Sequence, residues 1–280
     1  MAYPALLAQK FSRVGGGAFP QPLYSEAQKD GTGYLRLLNI PAPLPNIQPF
    51  GPTSQGFMGG IIGVNGSTPL YAKHTGANNN FGVPGIRIAD VQTAGYGFSN
   101  PVAFNSHFER LLGATNALSN YKDYVLANST GATFFSMWLG NNDVLGYATA
   151  GGTGSPMTDL ATFTTLYRSM LDGITGIASK GVLVTIPQVT VAPHFKTLTR
   201  TSLLASINAA LPAGSNPVTN IFIDASGTTR AATDADLFLL GAQADYGNFG
   251  KTNVGTGQPF PYGLHPNNPL KDASVLDTAE

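Results

Sequence analysis

An apolar run that stops abruptly in polar residues constrains this chain more than any other feature. Phe134-Phe135-Ser136-Met137-Trp138-Leu139 gives way at once to Gly140-Asn141-Asn142-Asp143. The first part is rich in strand formers and the second in turn and cap residues, so a buried strand should end where amide and carboxylate groups gather. In open α/β sheets ligands bind just outside the carboxyl ends of the strands, which puts Asn142 and Asp143 where chemistry is expected. A loop turn that does no more than cap a helix would use the same residues.

A second segment adds to this. In Asn80-Phe81-Gly82-Val83-Pro84-Gly85-Ile86-Arg87-Ile88-Ala89-Asp90 one glycine follows another by three residues and leads into an expected helix. A glycine there lets a backbone N–H approach a ligand closely, and amides at a helix start favour developing negative charge. Taken singly, Gly-Val-Pro-Gly is also an ordinary tight turn.

These two segments, followed by Gly181-Val182-Leu183-Val184-Thr185-Ile186-Pro187-Gln188-Val189-Thr190, resemble the SGNH (GDSL-type) esterase and lipase superfamily. The stretch from Ala2 to Phe11 and Val275-Leu276-Asp277 look like exported bacterial members of it. The resemblance covers most of the chain and two of the four signature blocks. It implies an α/β fold, a three-layer α/β/α domain over residues 1–280 with a mainly parallel sheet and long loop insertions. It also implies that Gly85 is the second-block glycine and Asn142 the third-block asparagine. In such enzymes the glycine N–H and the asparagine amide join the nucleophile's own N–H as an oxyanion hole. Preorganised donors of this kind are each worth about 100- to 1,000-fold in rate. Asp143 would brace the turn, since an ionised carboxylate cannot donate.

The other two blocks depart from the family pattern. No Gly-Asp-Ser or Gly-Asn-Ser turn exists; the chain moves from Met1 into Tyr3, Leu6, Leu7, Phe11 and Val14, an apolar helical stripe with Pro4 in its first turn. Ser12, Ser25 and Ser54 lack a strand-to-tight-turn setting and read as ordinary polar residues. Gly263-Leu264-His265-Pro266-Asn267 is similar to the element supplying the base, but Tyr262 stands where the orienting Asp belongs. His265 therefore reads as a loop histidine, with the catalytic base as the competing reading. Asp277 and Glu280 have the spacing of a capping box that should open a helix. Against the family pattern both ends look cut, leaving an ester hydrolase without its nucleophile and with little activity. The alternative is a non-catalytic ligand-binding protein on the same fold.

Composition agrees with one globular domain: 280 residues, 42% hydrophobic and 11% charged. The 34 glycines and 20 prolines imply long loops, which concentrate at Leu38–Gly66, Ala148–Pro156 and Tyr246–Pro269. Fifteen basic and fifteen acidic residues cancel, so no charge pattern points to nucleic acid. Without cysteine there are no disulfides or thiolate metal sites, and no apolar run reaches the length of about 18 that a transmembrane helix needs. No organic cofactor or metal is implied, and the partner is a small-molecule, lipid or acetylated ester substrate. Extracytoplasmic location follows from the resemblance alone. A metallophosphoesterase also uses an Asn at such a turn, but it needs clustered ligands. His74, His107 and His194 have no ligand spacing and read as surface or packing residues.

Periodicity predicts a helix through Leu160, Phe163, Tyr167, Met170, Leu171, Ile174 and Ile177, capped by Thr158 and ended by Gly181. A buried strand is expected at Val182–Ile186, a helix through Leu203, Leu204, Ile207 and Leu211, a strand at Val218–Ile223, and a helix over Leu237–Ala244 capped by Asp234. This alternation argues for a parallel sheet with helices on both faces.

Overall fold

The computed structural model describes residues 3–26, 34–39, 46–50, 57–62, 68–97, 103–113, 118–154 and 156–277, with backbone alone over the strands between residues 34 and 70. Ser54 and the expected helix start at Glu280 lie outside the described residues. The helices are α1 (Tyr3–Ser12), α2 (Ser106–Glu109), α3 (Tyr121–Asn128), α4 (Asn141–Thr149), α5 (Leu160–Thr175), α6 (Pro193–Lys196), α7 (Arg200–Ala209) and α8 (Gln243–Tyr246). The strands are β1 (Tyr34–Asn39), β2 (Asn46–Phe50), β3 (Phe57–Ile62), β4 (Thr68–Tyr71), β5 (Phe135–Met137), β6 (Gly181–Leu183), β7 (Phe222–Ala225), β8 (Thr228–Ala231), β9 (Leu237–Phe238) and β10 (Val275–Leu276).

Helices and strands are mixed, and the described strands form five two-stranded sheets. One pair, β5 with β6, is parallel, while β3–β4, β7–β8 and β9–β10 are antiparallel. The expected mainly parallel sheet is thus present among the described residues only as β5–β6. Leu38–Gly66, expected as loop, contains strand backbone.

The chain divides into two compact units. The first comprises Met1–Leu35, Pro49–Asn142 and Thr158–Ile186. Within it β5 is covered from two sides. Phe135, Met137 and Leu139 join the core built on Ile86, Ile88, Phe108 and Tyr121. The alternate residues meet α1: Tyr3 packs on Trp138 with ring centroids 5.5 Å apart, Phe11 on Phe134 at 4.8 Å, and the Tyr3 and Ser136 hydroxyls stand 3.4 Å apart. Period two along the strand and two helical turns along α1 bring these pairs into register. Helix α5 then presents Phe163, Leu166, Tyr167, Met170 and Leu171 to the same core, and Ile174 is buried as well; of the expected stripe, Leu160 is instead 80% exposed and Ile177 lies beyond the helix end. Its cap is Asp159, which accepts from the Thr162 N–H, and not Thr158, because Asp159 immediately precedes the first helical residue. The helix ends at Gly176, well before Gly181.

Three further expectations are corrected. The buried strand at Val182–Ile186 is instead Gly181–Leu183, with Val182 43% and Leu183 44% exposed; among the described residues β6 pairs only with β5. In the second unit (Arg36–Gln48, Asp143–Met157 and Pro187–Glu280) the strand expected over Val218–Ile223 starts at Phe222 and runs antiparallel to β8. Ser226 and Gly227 join the two with φ of 48° and 87°, the left-handed pair of a two-residue hairpin turn. The helix expected over Leu237–Ala244 is also replaced. Leu237 and Phe238 pair with Leu276 and Val275, and the helix shrinks to α8. Asp234 caps nothing there. Asp236, two residues on, has its side chain fully buried and takes the Arg230 guanidinium at 2.6 and 2.8 Å and the Thr233 N–H at 2.6 Å.

Candidate functional site

Helix α4 starts where β5 ends because Gly140 permits a sharp turn. Its φ is +105°, and a Cβ there would lie 2.7 Å from Ile186 Cδ1 and 2.8 Å from Phe163 Cζ. Glycine alone meets both demands. The next two side chains then point at different partners. Asn141 Oδ1 accepts from Trp138 Nε1 at 2.9 Å, in solvent. Asn142 Nδ2 donates to the Ile86 carbonyl at 2.9 Å, in a half-buried setting. Asp143 is buried in the first turn of α4.

The loop that receives Asn142 is built as a turn. The Ile86 N–H donates to the Val83 carbonyl at 3.3 Å, Pro84 occupies the second position, and Gly85 the third with φ +80°. This is the pattern of a type II turn, which needs a positive φ at its third residue. The expected helix beyond it is one 3₁₀ turn, Ile88–Asp90, because Asp90 bends back. Its buried carboxylate accepts from the Arg87 N–H at 3.0 Å and from the Arg87 guanidinium at 3.1 and 3.3 Å. On the other side, Asn105 Nδ2 donates to the Pro84 carbonyl at 2.9 Å.

Gly85 and Asn142 are therefore brought together: the asparagine amide holds the residue next to the glycine. Gly85 is exposed, and its N–H has no partner among the described residues. Asn142 spends one amide hydrogen on Ile86; the second has no described partner. Two neutral donors of this kind can hold a carbonyl oxygen, a carboxylate or a tetrahedral oxyanion.

Among the described residues of the first unit, neither the nucleophile nor the base of an acyl-transfer triad joins them. The Ser12 hydroxyl donates to the Gln9 carbonyl at 2.9 Å in the last turn of α1. His107 is half-buried on Tyr71, and burial, aided by Arg110, pushes its pKa down. Tyr96 and Tyr121, beneath the Gly85 turn, have hydroxyls whose pKa burial pushes far up, so they stay protonated. An open groove of about 610 Å³ along α1 is lined by Ala5, Ala8, Phe19 and Leu23 and holds no ionisable side chain.

His265 belongs to the second unit and is set in a loop folded around Asn268. That asparagine is fully buried, donates to the Val254 and Phe260 carbonyls, and accepts from the N–H and hydroxyl of Thr256. The His265 ring stacks on Phe260 at 4.3 Å, and its Nδ1 accepts from the Asn267 N–H at 3.1 Å. A backbone N–H can only donate, so the neutral ring carries its proton on Nε2. A general base held by a carboxylate needs the opposite tautomer. His194 lies against Phe195 with a pKa lowered by burial, and His74 faces the Ala77 carbonyl. Among the described residues no cluster of three or more His, Asp or Glu could hold a metal, and no helix is long and apolar enough to cross a membrane.

The residue that sequence reasoning overlooked is Asn105. Its position before Ser106-His107-Phe108-Glu109 marks a helix cap, but its second partner, Pro84, is 21 residues away. No protein-family model matches the chain, and no curated protein or solved structure is significantly similar to it.

Proposed function

We propose that the first unit carries the oxyanion-binding part of an SGNH-like ester hydrolase, on a three-layer α/β/α scaffold to which β5, α5 and β6 belong. One observation carries the reading: Asn142 sits on the Gly85 turn while each residue keeps a donor unspent among the described residues. When a carboxylic ester is attacked, its carbonyl oxygen gains charge, and Gly85 N–H and Asn142 Nδ2 would hold it without reorganising. A serine and a correctly oriented histidine would supply attack and proton transfer. No described serine or histidine of this chain is set for those steps, so its own turnover is expected to be small. Loss of a nucleophile costs about a million-fold.

The second reading, a non-catalytic binder of esters or carboxylates, is favoured by the tautomer of His265. Two measurements decide. Acetate, the product-side anion, should move the Gly85 amide and Asn142 side-chain resonances of the isotope-labelled chain along one binding curve. No movement at either would remove the oxyanion reading. Hydrolysis of p-nitrophenyl acetate should stay near background, and robust turnover surviving His265→Ala would mean that the reacting residues lie elsewhere.

A further inference from the structure

We infer that Asn105 is a positioning residue for the Gly85 N–H, holding the Pro84–Gly85 peptide in the orientation that offers its hydrogen to a ligand. This rests on the reading of Gly85 and Asn142 as an oxyanion-binding pair.

A turn with Pro second and Gly third can adopt two forms. Types I and II differ by a flip of the central peptide, and proline is favoured at the second position of both. Here that central peptide consists of the Pro84 carbonyl and the Gly85 N–H. Glycine accepts negative and positive φ with little difference, so Gly85 does not choose between the forms by itself. Because a peptide group is planar, a bond that fixes the Pro84 carbonyl also fixes the direction of the Gly85 N–H.

Asn105 makes that bond. Its Nδ2 donates to the Pro84 carbonyl at 2.9 Å and stands 3.0 Å from the Tyr96 hydroxyl, and its Oδ1 accepts from the His107 and Phe108 N–H groups at 2.9 and 3.1 Å. Its own N–H is anchored on the Tyr96 carbonyl at 2.8 Å. The cap of α2 uses only the oxygen, which serine or aspartate would supply as well. Aspartate has no donor and serine has one hydroxyl on a shorter arm, so only an amide carries a separate donor beside the capping oxygen. Asn105 thus couples a rigid helix start to the peptide whose N–H faces outward.

The test separates the two halves of the side chain. Asn105→Asp keeps a capping oxygen and has no donor, and Asn105→Ser keeps a capping oxygen on an arm one atom shorter, without the amide's separate donor. In the full-length labelled chain both should shift the Pro84 carbonyl carbon and change the φ-sensitive coupling of Gly85, while the His107 and Phe108 amides stay in place. Acetate affinity, read at Gly85 and Asn142, should weaken about two- to tenfold, the range for one net hydrogen bond. Unchanged Gly85 coupling and unchanged acetate affinity in both variants would overturn the inference. If acetate moves neither resonance of the unmodified chain, the oxyanion reading fails first and the inference with it. The unmodified chain and the variants therefore report separate failures.

Discussion

Asn142→Ala probes the contact on which the candidate site depends. The substitution deletes the bond from Nδ2 to the Ile86 carbonyl, 2.9 Å long and half-buried. Ile86 itself is only 4% exposed, and its carbonyl has no other partner among the described residues. A lost hydrogen bond costs about 1 kcal/mol net, and about 3 kcal/mol if the orphaned acceptor stays dry. Alanine returns up to about 0.7 kcal/mol as a better helix former within α4. The balance is a destabilisation of about 0.3–2.3 kcal/mol. At about 2–4 °C per kcal/mol for a chain of this size class, thermal melting by circular dichroism should fall by roughly 1–9 °C. Asn141→Ala is the internal control. It removes a bond of the same length, from Trp138 Nε1, but in solvent, with Trp138 39% exposed. Water replaces that partner, so the change should stay within about 0.5 kcal/mol. Should Asn142→Ala melt at or above Asn141→Ala, local helix propensity would be the whole story and Asn142 would not be holding the Gly85 turn.

Glycine substitutions should rank by space as well as by φ. Gly85→Ala, at φ +80° with no atom nearer its new Cβ than Asn105 Nδ2 at 3.8 Å, should cost about 1–2 kcal/mol for the left-handed backbone alone. Gly140→Ala, at φ +105° with Ile186 and Phe163 inside 2.9 Å, should cost more; equal melting temperatures would contradict the packing at the end of β5. In the second unit, burial pushes the Asp236 carboxyl up, but Arg230 and Thr233 outweigh it and hold its pKa below the ordinary carboxylate value. A depressed folded pKa contributes stability that is complete above the unfolded value of about 3.9 and is lost as pH falls through the folded one. Between pH 6 and pH 3 the unmodified chain should therefore lose more melting temperature than Asp236→Asn, and parallel losses would reassign the acid response to other carboxylates.

What the sequence disclosed, and what it withheld, follows from the range of the interactions involved. Helix α5 and the end of β5 at Gly140 were legible because their determinants are local: a 3.6-residue apolar stripe, and a run of strand formers broken by Gly140. The hairpin at Ser226–Gly227 was equally local, and Ser-Gly is a turn signal. It was masked because the segment from Val218 to Ile223, four of its six residues apolar, reads as a complete strand by itself. Asp234 and Asp236 could not be told apart by pattern, since both precede Leu237. What decided between them was the pairing of Leu237 and Phe238 with Leu276 and Val275, a contact from the far end of the chain.

The same division runs through the candidate site. Gly85 and Asn142 stood out as residue types at turns, but the bond that unites them spans 56 positions. Periodicity carries no information about which carbonyl an asparagine amide will reach. Asn105 makes the point more sharply, because its local duty hides its distant one. As a cap it needs only an oxygen, and a reader of sequence would accept serine, threonine or aspartate there without loss. The structure gives its nitrogen a separate task at Pro84, so substitutions that are conservative for α2 are not conservative for the Gly85 turn. A side chain that serves two elements at once is constrained by the intersection of their demands, and that intersection becomes visible only when both partners have been located.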